Sequence, residues 1–196
     1  MLRFIHHAAA LSQNPEDNHI IFMDRDGVIN IDPIGDYVKS WKDFKFEPGV
    51  FDALRLLIHK GYQIIVVSNQ AGIGDGVYTE ADLRDIHRHM IEELERQGIQ
   101  IRSAHYCQHG KGAGCKCRKP ETGLFEDATR NLPFLKDRTY FIGDKKTDME
   151  AGKRFGVKTV FVRTGHGKTD EANLTLDLRP DLVADNLLDA VKKLPT

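Results

Sequence analysis

The chain has 196 residues, of which 40% are hydrophobic and 29% charged, a composition that suits one well-buried domain and excludes a disordered chain. Lys plus Arg total 28 against 29 Asp plus Glu, which leaves no electrostatic footprint for nucleic acid or an anionic membrane. No apolar run approaches a membrane span, and the opening "MLRFIHHAAALSQNPEDNH" lacks the sustained hydrophobic region of a signal peptide.

Residues 1–18 read as a loosely ordered lead-in with at most a short helix, and His6 and His7 as solvent-exposed. Residues 19–196 read as one domain. A first strand is expected at 20–23. "GDYVKSWKDFKFEPGV" follows, too short for more than a minimal cap, with Tyr37 and Trp41 expected to pack. "GVFDALRLLIHKG" is a helix whose apolar face carries Val50, Leu54, Leu57 and Ile58, and Gly61 stops it. A second strand covers 62–67. "TEADLRDIHRHMIEELERQG" is a long helix capped by Thr79 and closed by Gly98, with Leu83, Ile86, Met90, Ile91 and Leu94 as its stripe. His87 and His89 are expected on its surface. Strands at 103–106, 139–142 and 158–162 follow, then helices in "TDMEAGKRFG" and "NLLDAVKKL", with 165–180 as a polar surface loop. This alternation predicts an α/β fold: three layers, with a central parallel β-sheet covered by helices on both faces.

Ligands of such sheets bind beyond the carboxyl ends of the strands. Asp24-Arg25-Asp26-Gly27 follow the first strand, Ser68-Asn69-Gln70 the second, Cys107-Gln108-His109 the third, and Gly143-Asp144-Lys145 with Asp148 the fourth. Arg118 and Lys119 lie between the third and fourth. Asp-Gly alone is a common turn pair. Acids, a hydroxyl, amides and two cations gathered on one sheet edge point instead to a reaction centre. Asp24 and Asp26, two apart on an extended segment, reach one space. With Asp144 they can hold Mg²⁺, which prefers one or two carboxylates together with water and substrate phosphate. One carboxylate can attack phosphorus and another can serve as acid and then base. Ser68 and Lys119 can hold the phosphoryl oxygens as charge moves onto them.

Three cysteines and a histidine converge within "CQHGKGAGCKC". Cys107, His109, Cys115 and Cys117 make a complete tetrahedral set, which predicts a small zinc-binding loop of structural kind. The alternative is a flexible loop with free thiols. The loop runs directly into Arg118 and Lys119, so zinc would fix the segment that presents them.

"DRDGVIN", "VVSNQAGIG", "CRKP" and "IGDKKTDMEAG", in this order, resemble the four motifs of the haloacid dehalogenase (HAD) superfamily of phosphatases over residues 20–165. The resemblance implies a Mg²⁺-dependent phosphomonoesterase with an aspartyl-phosphate intermediate. By motif, Asp24 is the nucleophile and Asp26 the general acid/base. Ser68 and Lys119 bind the phosphoryl group. Asp24, the Asp26 backbone carbonyl and Asp144 hold Mg²⁺, with Asp148 in support. Asn69, Gln70, Arg118 and Lys145 are expected against the substrate.

The zinc loop and the segment after the first motif resemble the branch of heptose 1,7-bisphosphate and histidinol-phosphate phosphatases. Five residues separate His109 from Cys115, fewer than in the heptose enzymes. The implied substrate is a heptose bisphosphate of surface-glycan synthesis, with histidinol phosphate as runner-up. The expected protein is a cytoplasmic monomer acting on a small phosphate ester, with no nucleic-acid or membrane partner. A receiver module would need its phospho-acceptor where "CQHG" stands. A nucleic-acid end phosphatase would need basic and aromatic residues interleaved.

Overall fold

The computed structural model describes residues 1–6 and 10–195. In chain order its strands are β1 (Leu2–Ile5), β2 (His19–Met23), β3 (Tyr62–Asn69), β4 (Ser103–Cys107), β5 (Tyr140–Gly143), β6 (Lys158–Val162) and β7 (Leu182–Ala184). The helices are α1 (Val50–His59), α2 (Ala71–Gly74), α3 (Glu80–Arg96), α4 (Gly123–Thr129), α5 (Lys146–Phe155), α6 (Gly167–Asp170) and α7 (Leu187–Lys193). The strands form one sheet in the order β1-β4-β3-β2-β5-β6-β7, parallel except for β1.

β2 shows why the sheet is covered on both faces. Its side chains alternate, with Ile21 and Met23 in one core and Ile20 and Phe22 in the other. The first core is closed by Val50 and Leu54 of α1, Leu83 and Met90 of α3, and Leu187 and Val191 of α7. The second is closed by Leu124 and Phe125 of α4 and by Ala151 and Phe155 of α5. β2 lies where the strand order reverses, between β3 and β5. Ligands of open α/β sheets bind at such a switch point. The cap is minimal, as expected: after Gly27 it holds two isolated bridges, Asp26–Asn30 and Asn30–Phe46, and a 3₁₀ turn at Trp41–Asp43.

The structure corrects several expectations. Residues 2–5 are not a loose lead-in but an antiparallel edge strand, with Leu2 opposite Tyr106 and Ile5 opposite Ser103. His6 is half-buried, its Nε2 3.0 Å from His87 Nε2, and His7 lies outside the described residues. His87 is buried rather than on the surface, under a stacked Phe4 ring. It sits four residues after Leu83 and three before Met90, so the spacing places it on the buried stripe. On α1 the buried face takes Ala53, while Ile58 is exposed. Residues 165–180 hold α6 and two 3₁₀ turns, and β7 and α4 are additional elements. Trp41 packs as expected, stacked between Phe44 and His89.

Burial, with the neighbouring His6 and Arg25 adding to it, pushes the His87 imidazole down to about 3 from an ordinary 6.5. Its neutral form is thus held in the fold while the unfolded chain protonates it. The associated stability is complete above pH 6.5 and is lost as pH falls from there toward 3. Urea unfolding at pH 7 and pH 5 is expected to show a loss of about 2 kcal/mol from this group, and His87→Gln is expected to lose correspondingly less.

Candidate active site

Asp24 follows β2 directly and is buried. Its N–H still bonds to Ile142 O at 3.0 Å, so the sheet ladder sets its position. Asp144 follows β5 in the same way, and the first turn of α5 brings in Asp148, whose Oδ2 accepts the Lys145 N–H at 3.0 Å. Carboxylate oxygens of Asp24, Asp144 and Asp148 lie within 4.8 Å of one another. Glycines make the room. A Cβ on Gly27 or on Gly165 would stand 2.3 Å from Asp144 Oδ2, and both residues have positive φ. A Cβ on Gly143 would stand 2.3 Å from Asp148 Cβ.

Three buried acids repel one another. Burial first, then the charges of Asp148 and Asp24, drives the Asp144 carboxyl well above the usual carboxylate range, and Lys145 and the His166 N–H offset this only in part. Burial and the Asp24 charge also raise Asp148, against Lys119 and Lys145. Asp144 Oδ1 is buried without a hydrogen-bond partner. Clustered oxygens, an orphaned carboxylate atom and excess negative charge are the conditions a hard divalent cation satisfies.

Lys119 is fully enclosed. Its Nζ stands 2.9 Å from Asp24 Oδ2 and 2.8 Å from Asp148 Oδ1, and donates to Val67 O at 3.0 Å. Burial alone would lower its pKa, but the two acids raise it, so the ammonium is retained. Asn69 clamps the lysine's backbone: its Oδ1 accepts the Lys119 N–H and its Nδ2 donates to Lys119 O, each at 3.0 Å. Ser68, at the end of β3, is buried beside them.

The Asp26 carboxylate lies outside the cluster of three acids and is held by Arg25, Asn30 and Gln70. This leaves its backbone carbonyl for the expected part in a metal site. Burial would raise its pKa, but Arg25, Lys145 and these hydrogen bonds outweigh it and hold the group below its ordinary value. Gln70 is buried, its amide bonded to Asp26, Ser68 and Tyr78. Lys145 pairs with Asp32 at 2.7 Å, and His166 Nε2 is 3.4 Å from the same oxygen. Arg25, Asp32 and Tyr78 have site roles that the sequence reading did not assign. Arg25 could have been found as a cation between two acids; Asp32 sits in the cap loop without a periodic signal.

Asp24, Asp26, Asp32, Ser68, Asn69, Gln70, Lys119, Lys145, Asp148 and His166 line a cavity of about 580 Å³ that also receives Tyr37, Lys111, Arg118 and Asp170. Arg163 stays outside, paired with Glu171 and Asp185. A separate cavity of about 430 Å³ beside β1 and α4 contains none of the three clustered acids.

The expected zinc ligands converge. Sulfur–sulfur separations among Cys107, Cys115 and Cys117 are 3.3–3.7 Å, and His109 Nδ1 is 3.2 Å from Cys117 Sγ and 3.5 Å from Cys107 Sγ. A disulfide needs about 2.05 Å. Ligands about 2.3 Å from a shared tetrahedral ion stand about 3.8 Å apart, close to the spacing seen. The four residues fit a structural zinc ion. The loop docks on the turn after α2: a Cβ on Gly74 would stand 2.1 Å from Gly110 N, and Lys111 N–H bonds to Asp75 Oδ1.

Residues 116–190 match a family model described as HAD-hydrolase-like. D-glycero-beta-D-manno-heptose-1,7-bisphosphate 7-phosphatase of Haemophilus ducreyi is 38% identical over 179 residues, 87% of this chain and 95% of that protein. The D-glycero-alpha-D-manno-heptose-1,7-bisphosphate 7-phosphatase of Campylobacter jejuni is 36% identical over 72% of this chain and 80% of its own length. The crystal structure of D,D-heptose 1,7-bisphosphate phosphatase from B. bronchiseptica, complexed with magnesium and phosphate, superposes with a TM-score of 0.83 at 30% identity, covering 89% of this chain and 97% of that one. Identity, near-complete coverage and superposition agree, and the chain belongs to the D-glycero-D-manno-heptose-1,7-bisphosphate 7-phosphatase family of HAD-like hydrolases.

Proposed function

We propose that the protein removes the 7-phosphate from a D-glycero-D-manno-heptose 1,7-bisphosphate in a Mg²⁺-dependent reaction, as a cytoplasmic monomer serving surface-glycan synthesis. The observation that carries this reading is the buried set of Asp24, Asp144 and Asp148, two of them bridged by Lys119, in a chain so closely aligned with heptose bisphosphate phosphatases. A small-molecule site suits the cavity, whose volume of about 580 Å³ falls in the usual range for such ligands. Thiols gathered as a ligand set rather than paired as disulfides suit a reducing compartment. One sheet with a core on each face supports taking residues 19–196 as a single phosphatase domain, to which β1 is added.

Asp24 and Asp144 would hold the Mg²⁺, with Asp148 beside them and the Asp26 carbonyl completing the protein's share. When bound, the ion screens the acids from the incoming phosphate and draws charge from its oxygens. Lys119 and Ser68 orient the phosphoryl group. A carboxylate oxygen of Asp24 bonds to phosphorus as the ester oxygen departs, and Asp26, ionised in the free site and taking up the proton of a phosphate monoanion as it binds, gives that oxygen its proton. Asp26 then takes a proton from water as the water oxygen bonds to phosphorus and the aspartyl–phosphorus bond breaks. Arg118, with one guanidinium nitrogen buried and unpartnered, and Lys111 lie on the same cavity wall and suit the second phosphate or a sugar hydroxyl. Zinc in the Cys107–His109–Cys115–Cys117 set would hold the loop that carries Arg118 and Lys119.

Phosphate release is expected to favour heptose 1,7-bisphosphates over histidinol phosphate, simple sugar phosphates and a 3′-phosphorylated oligonucleotide by about 10² or more in kcat/KM. EDTA should abolish it and Mg²⁺ restore it. Equal rates across the panel would keep the chemistry and remove the substrate. Asp24→Asn is expected to lower kcat by about 10³ or more with an unchanged near-UV circular dichroism spectrum. For Cys115→Ser, zinc content and Tm should fall together, the latter by about 10 °C.

A further inference from the structure

Arg25 is 1% exposed, and its Nη1 has no hydrogen-bond partner. Burying a guanidinium costs several kcal/mol, and an ion pair rarely returns more than a well-packed apolar side chain would. Stability therefore gives little reason to place an arginine at this position. Its one ionic partner among the described residues is Asp26.

The contacts are directional. Asp26 Oδ1 accepts from Arg25 Nε at 3.1 Å, Arg25 Nη2 at 2.8 Å and Asn30 Nδ2 at 2.9 Å. Oδ2 accepts from Arg25 Nη2 at 3.0 Å and from Gln70 Nε2 at 2.7 Å. The planar fork fixes the plane of the carboxylate, which a lysine ammonium cannot do. Gln70 Nε2 also donates to Ser68 Oγ at 3.1 Å, so one amide spans the acid and the phosphoryl-binding hydroxyl. Tyr78 OH donates to Gln70 Oε1 at 2.6 Å and sets which end of the amide faces Asp26. Gly72 makes this possible, since a Cβ there would stand 2.3 Å from Tyr78 Cε1. Beneath the fork the guanidinium carbon lies 5.9 Å from the centre of the Tyr106 ring, whose hydroxyl bonds to His87 Nδ1 at 2.9 Å.

We propose that Arg25 is a positioning residue for the general acid/base: with Gln70 it holds the Asp26 carboxylate so that Oδ2, the oxygen with fewer donors and the one tied toward Ser68, is the atom that passes the proton. This rests on the phosphatase reading above. The proton leaves Oδ2 for the ester oxygen as the phosphorus–oxygen bond breaks and the Asp24–phosphorus bond forms. The same oxygen receives a proton from water when that bond is hydrolysed. The Arg25 side chain does not line the cavity, so its contribution is confined to steps that move a proton through Asp26.

The leaving group separates this role from a merely structural one. An alkyl ester needs its departing oxygen protonated, whereas p-nitrophenolate leaves without help. kcat/KM reports events up to departure of the alcohol and is blind to the later hydrolysis. Arg25→Met and Arg25→Lys are compared with wild type and Asp26→Asn on the best sugar phosphate of the panel and on p-nitrophenyl phosphate. We expect kcat/KM to fall by about 10² on the sugar phosphate and by less than about threefold on the aryl ester, in the pattern of Asp26→Asn. Equal falls on both esters overturn the proposal. So does failure of both Arg25 variants to fold, which would assign the residue to stability. A wild-type protein inert toward every phosphate ester removes the phosphatase reading itself, an outcome that wild type alone reveals.

Discussion

Mutual repulsion among buried carboxylates is the constraint around which this molecule is built. Asp24, Asp144 and Asp148 would each be more comfortable in water. They stay together because β2 and β5 end side by side in register and each delivers an acid at its last step. The sheet ladder, not the acids' own chemistry, holds Asp24 in place, through its N–H on Ile142. Lys119 answers part of the charge, and the remainder is what makes the site a cation site. Gly27, Gly143 and Gly165 belong to the same design, because a methyl group on any of them would occupy the space of a carboxylate.

Lys119 comes from a long connection rather than a strand, so its position needs separate support. Asn69 holds its backbone from β3, and the zinc-ligand loop holds the chain just before it. Cys107 joins these supports. Its sulfur belongs to the zinc set, while its carbonyl accepts the Gln70 N–H at 2.7 Å. The loop in turn leans on the α2 turn through Gly74 and Asp75. A short loop with four ligands thus does the work that a buried hydrophobic segment would do in a larger protein.

The main architecture and the gathering of the candidate site's residues were legible because both write themselves in short-range patterns. Apolar runs ending in Asp24, Ser68, Cys107 and Asp144 mark strand ends, and strand ends are where the chemistry gathers. The cysteine spacing showed its ligand set for the same reason. Residues whose meaning depends on distant partners were hidden. His87 lies on the helical stripe by position but is polar by type, and only Phe4, His6 and Tyr106 explain its burial. β1 was misread because four residues beside a polar lead-in show no strand until β4 supplies an edge. Asp32 acts through Lys145, far along the chain, and Tyr78 through Gln70 across the turn of α2, contacts that no periodic pattern encodes.

The minimal cap has a kinetic meaning. An enzyme that closes a lid over its phosphorylated aspartate must reopen before water can enter or product can leave, and such motions often limit turnover. Here the connection after Gly27 provides two bridges and a single 3₁₀ turn, with no body large enough to swing shut. In the reaction proposed above, solvent would reach the aspartyl phosphate as soon as it forms, and its lifetime would be set by chemistry rather than by gating. The same openness withdraws a means of discrimination. Without a closing step to reject poor substrates, the proposed selectivity would rest on fixed contacts along the cavity wall, and a sugar lacking the second phosphate would be refused by weak binding rather than by exclusion.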